Sequence, residues 1–181
     1  YRLRDEPGAG DRGVYGVSWR TSARFCNWLH NDKSAAISAI ANGAYDASTF
    51  GISSPGYFTD QITRNPDARY WIPSLDEWLK AAHYDPANPD RDGWWLYSNR
   101  SDTPLTYGPP GEGDANAGFA LPGFAEFRIP LGSYPTVQSP WGLLDMAGAA
   151  REWTEHIIVV NGDMFRTLEG SAVSDSPDSA L

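Results

Sequence analysis

Cysteine is almost missing from these 181 residues, and Cys26 stands alone. No intrachain disulfide can form, which excludes a cystine-stapled module and, with it, a zinc site built on cysteine pairs. Histidine is scarce too. The three present, His30, His83 and His156, show none of the spacings by which histidines share a metal. An excess of positive charge is also lacking, since 14 Lys and Arg face 23 Asp and Glu for a net charge of -9. That balance suits neither a nucleic-acid backbone nor an anionic membrane surface, so no nucleic-acid partner is expected. No apolar run approaches the length of a membrane span, so no membrane insertion is expected, and no signal peptide opens the sequence.

What is present is aromatic and turn-rich. A hydrophobic content of 41%, of which eight Trp, nine Tyr and seven Phe are a large part, is enough for one sizeable core and too little for two. Eighteen Gly and 14 Pro predict long irregular loops around it. The reading is one domain over residues 14–171, an N-terminal arm or loop over 1–13, and a polar C-terminal tail over 172–181. The densest stretch is SPWGLLDMAGAAREWT, residues 139–154. It combines Trp141 and Trp153, the carboxylates Asp145 and Glu152, and the small run Ala147 to Ala150, and is expected to be a core-forming crossing with a polar element inside it.

Two helices are predicted. Ser18 is placed to cap the first, and Trp19, Ala23, Cys26 and Leu29 form its apolar stripe, broadened by Phe25 and Trp28, as far as Asn31. Cys26 on that face reads as a buried, inert thiol, because no cationic neighbour is evident to lower its pKa. The second helix follows Pro73, where Ser74 and Glu77 spell a capping box and Leu75, Trp78, Leu79 and Ala82 share a face, and it ends near His83 ahead of Asp85-Pro86. Residues 32–69 are expected to hold one or two short strands with a hairpin-like excursion. Asp46, Asp60 and Asp67 there read as caps or turn formers. The run from Trp94 to Tyr97 suits a buried strand or an aromatic plug. Beyond it, Glu112, Asp114, Asn116 and Glu126 sit among many loop carbonyls, the oxygen mixture that hard cations such as calcium favour, though not at the spacing of an EF-hand.

Three segments in order carry a resemblance. GVSWRTSARFCNW, residues 16–28, looks like the start of a family's first helix. YWIPSLDEWLKAA, residues 70–82, is similar to its Arg-Leu-Pro-Thr-Glu-Ala-Glu-Trp segment, and WGLLDMAGAAREW, residues 141–153, to its Trp-Gly-Leu-x-Asp-Met-x-Gly-Asn-Val-x-Glu-Trp signature. The chain resembles the formylglycine-generating-enzyme, or sulfatase-modifying-factor, domain over most of its length. That resemblance implies an α+β fold of the C-type-lectin-like class, with two main helices, short antiparallel strands and much irregular loop.

The family's oxidases bind copper through two cysteines that follow an Arg-Gly-Gly-Ser-Trp segment. The matching place here reads LEGSAVSDSPDSAL, with Glu169 where the first of those glycines is expected and no Cys, so copper is not expected; nor is there the paired-His arrangement of the family's iron-dependent relatives. For calcium, the resemblance implies Asn116 with the Ala117 carbonyl at one site, Glu126 as an acidic ligand, and Glu152 at a second site, whose usual Asn is Ala149 here. Read without a metal, Glu152 is a buried carboxylate hydrogen-bonding the turn at Gly148, and Asp145 a cap or turn partner. The ARFCNWLHN and WWLYSNR phrases are similar to those of secreted or surface-displayed bacterial members, which implies an extracellular or cell-surface location. The reading is a non-catalytic domain that binds a protein or glycan partner or takes part in homo-assembly. The alternative is a copper-dependent oxidase acting on a sulfatase cysteine.

Overall fold

A computed structural model describes residues 9–54, 56–118, 125, 127–172 and 175. They fall into two compact units, one made of Gly16–Glu77 with Trp153–Glu169, the other of Tyr1–Tyr15, Trp78–Glu152 and Gly170–Leu181. The regular elements are helix α1 (Trp19–His30), helix α2 (Leu75–His83), and strands β1 (Glu152–Val160) and β2 (Asp163–Glu169), which pair as a two-stranded sheet. The remainder is turn and irregular chain with short 3-10 turns. The mixed fold of two helices, one antiparallel hairpin and much loop agrees with the sequence.

Both helices begin where local chemistry dictates. Ser18, in an extended conformation, accepts the Thr21 N–H on its hydroxyl, and Asn31 closes α1 at the other end. Ahead of α2, the Glu77 N–H donates to Ser74 Oγ at 3.1 Å while the Ser74 N–H donates to Glu77 Oε2 at 2.9 Å, the reciprocal capping box. The buried face of α1 is Trp19, Ala23, Cys26 and Asn27. Phe25, expected to broaden the stripe, is 56% exposed, and the polar Asn27 is buried in its place.

Asn27 explains how a loop-rich unit acquires a core. Its Oδ1 accepts the Tyr45 N–H at 2.7 Å and its Nδ2 donates to the carbonyls of Tyr45 and Ile40, so one helical amide replaces the ladder that a strand would have supplied to residues 40–45. Around it lie Trp19, Ala23, Cys26, Ala44, Tyr45 and Ile72, with Phe50, Ala68 and Trp153 against them. Trp19 meets Tyr45 edge-on at 5.2 Å and donates its indole N–H to the Thr154 carbonyl. The strands expected over 32–69 are replaced by two 3-10 turns, Ile37–Ile40 and Ala47–Thr49, and one isolated bridge between Ile52 and Phe58.

The hairpin turn is Asn161-Gly162, with φ of 53° and 91°. Positive φ at both positions is what a two-residue turn requires to match strand twist, and Asn-Gly supplies it at least cost.

In the other unit the buried residues include Trp78, Ala82, Leu105, Ala115, Ala117 and Tyr134. Two aromatic expectations are corrected here. Trp94 to Tyr97 is no strand: Trp94 makes a single bridge to Tyr84, and both it and Leu96 are about 40% exposed. The Trp95 N–H bonds the His83 carbonyl and Tyr97 bridges Ser101, so the run pairs at isolated points and never extends into a ladder. Trp141 is not in a core either. It is 52% exposed, flanked by exposed Leu143 and Leu144, because its indole N–H is held by the Lys80 carbonyl near the end of α2. Of the tail over 172–181, only Ala172 and Asp175 lie among the described residues.

Replacing Asn27 with Ala should strand a buried N–H and two carbonyls, costing about 2–4 kcal/mol. Equilibrium urea unfolding would read this as a lower midpoint at unchanged slope, whereas Phe25→Ala should leave the midpoint nearly unmoved.

Candidate functional site

The signature stretch folds as a tight turn in the second unit, and backbone geometry explains its composition. Asp145 and Ala149 both adopt left-handed φ, 58° and 55°. Asp145 accepts the Gly132 N–H on its carboxylate at 2.7 Å, the turn-partner role expected of it. Between them, Gly148 at φ 84° presses against the Asn116 carboxamide so closely that no Cβ would fit. The Gly148 N–H donates to Ser171 Oγ and the Ala149 N–H to Asn116 Oδ1. Asn116, between fully buried Ala115 and Ala117, is itself 3% exposed. A buried amide and a hydroxyl therefore satisfy the turn, not the Glu152 carboxylate expected to do so.

Glu152 is left with an unusual environment. Among the described residues its Oε2 is buried without a hydrogen-bond partner, and so is Trp78 Nε1. Gly170 closes over the same oxygen, leaving no space for a side chain there. Burial pushes the carboxyl pKa up to about 8, reinforced by the negative charge of Asp145 and opposed by its own backbone N–H and the Trp78 indole. The indole is near enough to favour the charged form but not at hydrogen-bond geometry.

The structure thus brings Asn116 and Ala117 to the signature turn and places Glu152 at its end, while Glu126 lies outside the described residues. Calcium takes about six to eight oxygens. Asn116 Oδ1 is already engaged with Ala149, and no group of three or more His, Cys, Asp or Glu able to hold a metal occurs among the described residues. The described donors do not by themselves make up a calcium shell.

Cys26, His83, Asp46 and Asp60 are buried or engaged. Cys26 is 9% exposed, and burial, with the nearby charge of Glu155, pushes its thiol up to about 11. His83 is held below the usual imidazole range by burial, against the opposing effect of the Trp95 backbone. Asp46 caps the 3-10 turn at Ala47–Thr49, and Asp60 pairs with Arg20, as caps and turn partners should.

Sequence reasoning missed a polar hollow of about 590 Å³ in the α1 unit, lined by His30, Asn31, Ser34, Ser38, Asn42 and Asp67 among others. Its walls are built by Asn31, whose Nδ2 binds the carbonyls of Asn27, Ala39 and Asn42, and by Asn65, which binds Gly43. His30 Nδ1 accepts the Arg69 N–H, so a neutral ring there carries its proton on Nε2. The available signal was the density of Asn and Ser just past the end of α1.

Comparison with known proteins places this geometry. The sulfatase-modifying factor enzyme 1-like domain matches residues 2–180. A crystal structure of CarF shares the fold, with a TM-score of 0.59 at 21% identity over 96% of this chain. The chain spans 62% of the length of CarF. No match was found among curated protein sequences.

Glu152 yields a pH signature. Its folded pKa of about 8 lies above its ordinary 4.5, so the native state holds a proton that the unfolded chain releases, and stability falls as pH rises through that window. In chelator-treated protein, Glu152→Gln should gain up to about 5 kcal/mol over wild type between the ends of this window. Urea midpoints measured across it would show this. A melting temperature that rises on adding calcium to wild type but not to the variant would instead make Glu152 a ligand.

Proposed function

Because the chain belongs to the sulfatase-modifying factor enzyme 1-like domain family, we propose that it uses the scaffold for non-catalytic binding of a glycan or protein partner outside the cell. The observation that carries this reading is the state of the thiol. Oxidation of a substrate cysteine through copper needs two accessible thiolates, and Cys26, the one thiol in these residues, is buried with a pKa raised to about 11. The copper-dependent oxidase reading therefore finds no support in the residues present.

The polar hollow supports a neutral, hydroxyl-rich partner. It offers the Ser34 and Ser38 hydroxyls, the Asn42 amide, an imidazole N–H and the Asp67 carboxylate within one concavity. A planar amide that gives and takes hydrogen bonds, beside a carboxylate that accepts them, suits the paired hydroxyls of a sugar.

A second reading, homo-assembly, rests on the hairpin. Ile158, Val159 and Val160 run consecutively at 41%, 64% and 47% exposure towards the turn of a two-stranded sheet. Exposed apolar strand residues of this kind favour protein contacts.

Titration of the purified protein with Cu(I) should show no stoichiometric binding, and incubation with a cysteine-containing peptide should yield no formylglycine. Stoichiometric copper would restore the oxidase reading. On a glycan array, binding should be lost in Asp67→Ala, with the melting temperature unchanged.

A further inference from the structure

The α1 unit also contains a second cavity of quite different character, about 370 Å³ in volume. It is formed by the start of α1 (Trp19, Arg20), the 58–60 segment (Phe58, Asp60), β1 (Trp153) and β2 (Phe165, Arg166). The volume falls within the range of small-ligand sites, about 300–1,000 Å³. Four aromatic rings set an apolar interior, with Trp19 buried and Phe58 and Phe165 39% and 47% exposed.

The two guanidinium groups are not equivalent. Arg20 is neutralised: its Nε meets both oxygens of Asp60 at 3.0 and 2.9 Å, and Asp60, with its side chain 6% exposed, also takes the Gly51 N–H. Arg166 has no such counter-charge among the described residues. Its Nη1 donates to the carbonyls of Ile62 and Glu155 and its Nη2 to that of Gln61, all neutral acceptors, while the guanidinium lies 3.9 Å over the Trp19 ring. The nearby Glu155 carboxylate is taken by the Tyr45 hydroxyl and by Arg64. Burial lowers the Arg166 pKa and outweighs the attraction of the Asp60 and Glu155 carboxylates nearby, neither of which is hydrogen-bonded to it. Its Nε, and Nη1 of Arg20, have no acceptor among the described residues.

We propose that this cavity binds a small organic carboxylate with an aromatic or branched alkyl body, the body against the rings and the carboxylate on Arg166. The arrangement disfavours the opposite class. A cationic ligand would face two guanidinium groups, with Arg166 already over Trp19 and Arg20 over Phe58 at 5.4 Å. An uncharged apolar ligand would fill the volume yet leave Arg166 uncompensated. A carboxylate meets both demands, because a guanidinium in apolar surroundings gains most from a charge-assisted bond. This inference does not depend on the polar hollow or on the thiol.

Titration of the full chain with 3-phenylpropionate, followed by calorimetry and by the fluorescence of Trp19 and Trp153, tests it. Saturable millimolar or tighter binding is expected, with 3-phenylpropionamide weaker by about tenfold or more and acetate not bound. Because Arg166→Gln removes three carbonyl contacts and can unfold the unit, the informative variant is Phe165→Ser at a half-exposed ring. It should weaken binding severalfold, while Phe25→Ser, outside the cavity, should not. A peptide ending in phenylalanine that displaces 3-phenylpropionate would support the proposal with a chain end as the source of the carboxylate. No saturable binding by the wild type, equal affinity for acid and amide, or full affinity in Phe165→Ser would overturn it.

Discussion

The α1 unit depends on one buried carboxylate. Glu155 is 6% exposed, yet every part of it is engaged: Oε1 takes the Tyr45 hydroxyl and the Arg64 N–H, both at 2.7 Å, and Oε2 takes the Arg64 guanidinium at 3.3 Å. Its backbone N–H donates to the Pro73 carbonyl and its own carbonyl accepts from Arg166. Burying an ion is costly unless its lone pairs are filled, and these contacts come from four separate stretches of chain. Tyr45 transmits the constraint by accepting the Ile72 N–H on the same hydroxyl that serves Glu155. A unit with so little regular structure thereby holds its loops at one point, where disulfides would serve in a cysteine-rich module.

The same economy governs the signature turn of the other unit. Left-handed residues at 145 and 149 and the glycine between them create orphan backbone N–H groups, and Asn116 and Ser171 take them up. The price falls on Glu152, whose Oε2 remains buried with no partner among the described residues. A stretch that reads as a metal-binding signature is, in its geometry, first a solution to backbone satisfaction. Thiol chemistry is equally subordinated to packing, for Cys26 belongs to the core cluster with Trp19 and Tyr45.

The polar hollow and the aromatic cavity both lie in the α1 unit, and each is a by-product of how its loops are tied. Asn31 and Asn65 hold their loops by side-chain amides, which leaves a rim rich in hydroxyls and carboxamides. Arg166 holds the 61–62 segment by its carbonyls, which leaves a positive charge facing aromatic rings. The chemistry exposed in both hollows is what the loop-anchoring residues have to spare.

Sequence alone determined both helices, because a capping serine, a capping box and an apolar stripe are local, and their hydrogen bonds close within four residues. It also carried the family and the burial of Cys26, and the hairpin is legible in Asn161-Gly162 between two apolar runs, although it is not among the predicted strands. Tertiary structure alone decided which aromatics are core. Trp19 and Trp141 look alike in sequence, yet one is buried and the other half-exposed, because burial depends on what a distant segment places opposite each ring. It alone also paired Asn116 with Ala149, thirty-three residues on, and gave Arg166 carbonyls as its hydrogen-bond acceptors among the described residues. Irregular loops have no period to read, so their partners emerge only when buried polar groups must be satisfied in three dimensions.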